Sequence, residues 1–546
     1  MRGGDGGTMF TIRSMVGFRN EEIDGQIAYC DNVILLLLPS HIPCPSRHHH
    51  ISVNSTTCVS KSYSYHELAG YGYITSDAVD KFGDTLGGLG SGIHMDRAHW
   101  TKLDNGSYTG TLWSLPDRGW NTEGTLNFQP RVHKFNVLFT PAPGASVQQP
   151  SAPNLQLRYE DSVGFSGPDG APCTGLDADA AGHLTYPGFP DLPAATYTGD
   201  GFGGDGPGGK RVTVDCEGLY VNEDGSFWVS DEYGPYIYHF DPTGKMLAAI
   251  RPPDALIPMR NDAESFSSAN PPQYLGGANG PLPSPEDPDS GRDNNHGFEG
   301  LSVSADGQTL WALLQAATVQ EGGLEKQTSR HTRLLQYDVR DRRKPVYAAS
   351  YIVPLPLYVD PTTSKPSKNP KVAAQSELHA LPNGQFLVLA RDGKAGRGAE
   401  STESVYRQID VVDLAGATDL KAAKKDYDCA DCAAASRKKG QLKDGVTAAT
   451  YCGWLDFNVN AQLGRFGLHN GGKQDSALVN EKWESIAMVP VNPAVPDDGE
   501  FFIFSLSDND FITQNGFLNG GKFHYADSSG YNLDSQALVF RVSIPK

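Results

Sequence analysis

Apolar and polar residues alternate in short runs along most of this chain, and the runs come in matched pairs. Glu217-Gly218-Leu219-Tyr220-Val221 leads through Asp224-Gly225 into Phe227-Trp228-Val229-Ser230-Asp231. Phe298-Glu299-Gly300-Leu301-Ser302-Val303 leads through Asp306-Gly307 into Thr309-Leu310-Trp311-Ala312-Leu313-Leu314. Period-two alternation predicts strands. Asp-Gly between two such runs predicts a hairpin whose central turn residues both take positive φ. Each pair reads as a β-hairpin with a carboxylate at the start of its first strand.

The unit recurs. One copy spans Gly88 to Phe139, with Gly110–Leu115 and Arg131–Phe139 as strands. A weaker copy lies at Thr174–Asp179. The Glu217 copy adds an outer strand at Tyr236–Asp241, and the Glu299 copy one at Leu334–Val339. Later copies begin at Glu377 and Glu484. Six antiparallel units predict an all-β fold, a six-bladed β-propeller with long loop insertions at 254–296 and 415–450. A strand at Tyr63–Ile74 is expected to complete the last blade. A β-sandwich is the competing architecture. Helical periodicity is too scarce for a Rossmann-type sheet.

Composition narrows the partners. The 546 residues are 38% apolar, enough for a sizeable core, and the net charge of -19 argues against nucleic acid or anionic membrane as partner. A small anionic or ester substrate and a monomer are expected. No run is long and apolar enough to span a membrane.

Residues 1–52 read differently from residues 53–546. The apolar run Val33–Leu38 is preceded by Glu21, Glu22, Asp24 and Asp31, where a secretory signal would be basic. His48–His50 reads as a chance run. This segment is expected to be disordered or a misassigned start over a signal region, and 53–546 to be the β domain. Eight Cys and the sequons at Asn54 and Asn105 suit an extracellular, secreted, disulfide-bonded glycoprotein. The expected pairings are Cys429 or Cys432 with Cys452, or Cys173 with Cys216, with the connectivity left open.

The candidate chemistry is acidic. Glu217, Glu299, Glu377 and Glu484 occupy like positions in four units, and converging carboxylates call for Ca²⁺ or raised pKa values. A second set follows the Trp strands: Asp117-Arg118, Asp231-Glu232, Arg391-Asp392 and Asp508. Antiparallel strands return this set to the mouth where the Glu residues lie. Glu217, Glu299, Glu377, Glu484, Asp117, Asp392 and Asp508 are thus candidate metal ligands. Glu217, Asp231, Glu232, Glu299 and His379 are candidate catalytic groups. Arg118 and Arg391 either bind an anionic substrate or neutralise the acids. The alternative for each Glu is a structural cap or ion pair. Gly201–Gly206 mimics a nucleotide-binding loop, but a strand follows it rather than a helix.

The segments Val214–Leu219, Trp228–Tyr236 and Gly297–Leu301 resemble the phytase-like family ("esterase-like activity of phytase"), in the manner of its secreted fungal members. Gly199–Gly204 and Arg251–Asp254 add to the likeness. The resemblance implies a propeller-like all-β domain and hydrolysis of phosphate or carboxylic esters, and it assigns no catalytic residues. Three functions are weighed: a metal-assisted ester hydrolase, a lactonase-like calcium propeller enzyme, and a non-catalytic binding propeller.

Overall fold

A computed structural model describes residues 52–276, 282–360 and 370–546, together with a short pairing of Tyr29–Cys30 with Val33–Ile34. The chain divides into two units, Met1–His50 and Ile51–Lys546. Of the readings made on the first, Leu35–Leu38 and His48–His50 lie outside the described residues. The second unit is nearly all β.

Four antiparallel sheets have four strands each, joined in sequence order. The first holds Gly92–Lys102, Tyr108–Leu115, Arg131–Phe139 and Leu155–Gly164. The second holds Cys216–Val221, Phe227–Asp231, Ile237–Phe240 and Met246–Ile250. The third holds Phe298–Val303, Thr309–Leu314, His331–Asp338 and Val346–Pro354. The fourth holds Ala374–Ala380, Phe386–Arg391, Arg407–Asp413 and Thr450–Asp456. A larger sheet joins Lys482–Trp483 and Ala487–Pro490 to Glu500–Asp508, then Ser535–Ser543, Lys61–Ile74 and Asn54–Cys58. The early strand does complete the last sheet.

The weak unit expected at Thr174–Asp179 forms no hairpin. It has neither an Asp-Gly turn nor a following apolar run, and Thr174 makes only an isolated bridge to Thr213. The nearby strands His183–Leu184, Leu192–Tyr197 and Gly209–Val212 form a separate three-stranded sheet.

Apolar residues sit between sheets. Leu115 and Val132 of the first sheet pack with Leu219 and Val229 of the second. Trp228 and Ile237 of the second meet Leu301 and Leu335 of the third. Leu313 and Leu334 of the third meet Leu378 and Val388 of the fourth. Leu387 and Ile409 of the fourth meet Met488 and Phe540 of the last sheet. Phe502 and Val539 of the last sheet meet Leu112 and Phe135 of the first. Each sheet therefore packs against two others.

The hairpin turns differ from expectation in one respect. Only the glycine takes positive φ, Gly225 at 79° and Gly307 at 71°. Gly225 N donates to Asn222 O at 2.9 Å and Asn222 N to Ser226 O at 2.8 Å, so the loop is a longer turn ending in a left-handed glycine. Disulfides join Cys58 to Cys452 and Cys429 to Cys432, while Cys173 and Cys216 are buried and free. The suggested Cys173–Cys216 bridge is therefore not formed, and Cys452 pairs with an early strand instead of its sequence neighbours.

Candidate acidic site at the start of the inner strands

The Glu-Gly-Leu triplets have a steric cause. A Cβ on Gly218 would lie 2.4 Å from Leu301 Cβ and 2.6 Å from Glu299 O; one on Gly300 would lie 2.7 Å from both Leu378 Cβ and Leu378 N. The first strands of neighbouring sheets thus touch through bare backbone. At each triplet the ladder slips by one residue, between Cys216 and Leu219 and between Phe298 and Gly300. Such a bulge re-aims a side chain, here Glu217 and Glu299.

The fourth sheet also slips by one, between Gln375 and Glu377. Its pairing Glu377↔Leu389 matches Gly300↔Leu313. The position equivalent to Glu299 is therefore Ser376, one residue before the expected acid. A one-residue offset turns a side chain to the other face. Glu377 Oε1 accepts from Leu301 N at 3.1 Å and from Leu378 N at 2.7 Å, so this acid caps backbone.

Several expected residues do meet. Asp231 lies opposite Cys216 in the ladder, so the end of the second strand returns beside the start of the first. Asp215, Glu217 and Glu232 place one oxygen each within 4.8 Å of one another. Burial, then Glu299, Asp215, Glu232 and Glu484, hold the Glu217 carboxyl well above the usual range. Glu299 is likewise pushed well up by burial, then by Glu232 and Glu484. Burial raises Asp215 to about 7, against the pull of Arg118.

Three nearby cations are committed to acids, while Arg292 donates to the carbonyls of Tyr233 and Phe266. Arg118 Nη1 donates to Asp215 and lies 3.8 Å from Glu232 Oε2. Arg391 donates to Glu484. Lys482 Nζ binds Asp508 and lies 2.8 Å from Asp510 and 3.7 Å from Glu484. Three carboxylate oxygens of this site are buried without a partner among the described residues: Asp215 Oδ1, Glu232 Oε1 and Glu299 Oε2. A buried anion without a partner costs several kcal/mol (roughly), so this arrangement calls for a proton or a cation. A set of convergent carboxylate oxygens fits a hard divalent ion.

Other predicted residues are placed elsewhere or otherwise occupied. Asp231 accepts from Asp215 N at 2.9 Å, Tyr233 N at 3.1 Å and Gly234 N at 2.7 Å, so it organises the turn. Asp392 accepts from Ser404 Oγ and Val405 N, both at 2.7 Å. Asp117 joins Asp508 and Asp510, and the Lys482 ammonium pairs with the last two, while burial and Asp508 hold the Asp117 carboxyl well above its usual range. His379 is not brought to the acids. It lies further along its strand, in a cavity lined also by the hairpin-turn residues Asn222 and Gly225. Cys429 and Cys432, near Asp426, are joined to each other and hold no metal as thiolates. Asp215 and Lys482 went unselected in the sequence. Each stands two residues before a chosen Glu, the spacing of one strand face, which could have flagged both.

An all-β body with an acidic, buried, partly unpartnered site defines the class. Within it, the phytase-like family, described by "esterase-like activity of phytase", matches residues 84–511, and the chain belongs to that family. An "uncharacterized secreted protein" of Arthroderma benhamiae is 51% identical over 469 residues, 85% of this chain and 90% of that protein. Solved structures with some likeness include regucalcin, a calcium-binding protein of Agrobacterium tumefaciens, at 10% identity over 87% of this chain and 94% of its own, with a TM-score of 0.24. A gluconolactonase of Xanthomonas campestris is 10% identical over 79% and 90%, with a TM-score of 0.21. No helix among the described residues is long and apolar enough to cross a membrane.

Proposed function

We propose that the protein is a secreted ester hydrolase, acting on phosphate or carboxylic esters at the acidic mouth of a propeller with the help of a divalent cation such as Ca²⁺. The cycle in which each sheet packs on two others supports a closed propeller of five blades, one fewer than the sequence spacing suggests. The observation that carries the functional reading is the trio of buried oxygens on Asp215, Glu232 and Glu299 that lack partners among the described residues, beside a Glu217 that makes no side-chain hydrogen bond among them. These four residues would hold the ion, which supplies Lewis acidity toward a phosphoryl or acyl oxygen.

The chain's own groups do the rest. Arg118 fixes Asp215 and approaches Glu232, while Arg391 and Lys482 fix Glu484. The free oxygens therefore project from a frame held by ion pairs. Glu232 Oε1, unpartnered among the described residues, is one of the oxygens that would meet the ion. An anionic ester approaches this mouth only when the acids are neutralised, which ties substrate binding to the cation.

Metal content and turnover test the proposal together. The purified protein is expected to carry Ca²⁺ and to hydrolyse one of phytate, a simple phosphomonoester or a carboxylic ester. That turnover should be lost in EDTA and in Glu217→Gln. Hydrolysis indifferent to both treatments would sink the metal-assisted reading. Absence of both metal and turnover would leave a binding propeller.

A further inference from the structure

The inner strands end at a second mouth, where the hairpin turns lie. A cavity of about 540 Å³ opens there, within the size range of small-molecule sites. Its walls are largely apolar, from Ile93, Leu219, Leu301, Val303 and Met488. Polar groups interrupt them: His94, Arg97 and His379, with Asp96, His99, Asn222, Glu223, Ser302 and Glu377 also on the lining; Glu377 is taken up by the backbone of Leu301 and Leu378.

Neither the His94 nor the His379 imidazole has a hydrogen-bond partner among the described residues. His94 stands edge-on to Tyr220, with ring centres 4.9 Å apart. Burial, then Arg97, favours the neutral ring in both, lowering His94 to about 4 and His379 to about 3. Each ring can therefore donate one N–H into the cavity.

Arg97 donates Nε to Met488 O at 3.0 Å, and no carboxylate lies within 4.0 Å of its guanidinium among the described residues. The nearby acids leave it free. Asp96 is taken up by His99 Nδ1 at 2.6 Å and Ala98 N at 2.9 Å, Glu223 is exposed on a turn, and Asp497 acts only at longer range. Arg97 is thus an exposed guanidinium at the rim of the cavity, with no carboxylate partner among the described residues.

We propose that this second mouth binds a small organic carboxylate with an apolar or aromatic body. Arg97 meets the carboxylate, and His94 and His379 donate to it. The walls select against a compact inorganic anion, because such a ligand would leave their apolar surface wet. Two imidazoles beside a guanidinium make a poor metal site, since a cation there would face Arg97. The site is separate from the acidic mouth, and its test does not depend on hydrolysis.

Benzoate is the probe, titrated calorimetrically at neutral pH against the whole protein. Benzamide serves as the uncharged isostere and orthophosphate as the compact anion. Benzoate should bind one to one. Benzamide should bind about tenfold or more weakly, as loss of a charge-assisted contact implies. Arg97→Met should weaken benzoate by at least about tenfold and His379→Phe several-fold, whereas Glu217→Gln and EDTA should leave it unchanged. Circular dichroism checks that Arg97→Met folds. If it does not, Arg97→Lys and the benzoate–benzamide ratio on the unaltered protein decide. Equal binding of benzoate and benzamide, tighter binding of orthophosphate, or no benzoate heat at roughly 10 mM would overturn the assignment.

Discussion

Gly218→Ala probes the contact that sets Glu217 beside Glu299. The added Cβ would fall 2.4 Å from Leu301 Cβ, 2.6 Å from Glu299 O and 2.8 Å from Leu301 N. Two of these are backbone atoms, so no rotamer change relieves the clash and strand Phe298–Val303 must move. Gly218 has no positive φ, so alanine restricts the unfolded chain without backbone strain, a gain of about 0.4–1 kcal/mol. Overpacking costs about 1–3 kcal/mol. Movement also stretches the bonds from Gly218 N to Ser230 Oγ at 2.7 Å and from Ser230 Oγ to Glu299 O at 2.8 Å, worth about 1 kcal/mol each. The net expectation is a loss of about 2–3 kcal/mol. At about 2.1 cal/mol/K per residue over roughly 500 residues, this lowers Tm by about 2–3 °C. Urea and thermal unfolding followed by tryptophan fluorescence measure it. Gly144→Ala is the control, because Gly144 also lacks positive φ and a Cβ there meets nothing within 4 Å. A neutral or stabilised Gly218→Ala would refute the strand contact, and with it the shared placement of the two acids.

Three further outcomes are expected. Arg118→Met removes the partner of buried Asp215 and should destabilise by about 3–5 kcal/mol at pH 8 in EDTA, less at pH 5, where a protonated Asp215 needs no cation; equal losses at both values would contradict the pairing. Burial raises Asp231 to about 7 from an ordinary 3.8, so the folded state holds a proton that the unfolded chain releases, and its stabilising contribution falls as pH rises from about 4 to about 7. Asp231→Asn should flatten that decline in urea titrations, and an unchanged slope would assign the decline elsewhere. Replacing Cys58 and Cys452 by Ala opens a loop with a sequence separation of 394 and should cost roughly 5 kcal/mol, whereas the same change at Cys429 and Cys432, three residues apart, should cost far less by the same unfolding assay.

Local patterns were legible where one strand and its turn sufficed. Glu217 and Glu299 were found because both precede a glycine that a touching strand requires. The return of Asp231-Glu232 to the same mouth followed from antiparallel geometry alone. Glu377 misled because it precedes leucine without an intervening glycine, and the one-residue ladder slip that decides its direction depends on pairing with Leu389. The Cys58–Cys452 bridge joins strands of two different sheets, and no local spacing encodes that meeting. Arg118 and Arg391 read in the sequence as substrate anchors or neutralisers, and in the structure each donates directly to an acid, Asp215 and Glu484. The open cavity beside Arg97 escaped notice because its polar groups come from different sheets.

Strand Lys61–Ile74 lies between Asn54–Cys58 and Ser535–Ser543. It leaves the ribosome well before its inner neighbour. About 460 residues separate them, which at about 5–20 residues per second is roughly 25–90 s of synthesis. Through that interval the edge of the early strand that meets Ser535–Ser543 has no partner, and Tyr65 and Leu68, buried in the finished fold, lack Phe540 and Val542 of their core. An unpaired edge of this kind recruits other chains. The nascent protein is therefore exposed to such pairing until Ser535–Ser543 is made and covers that edge.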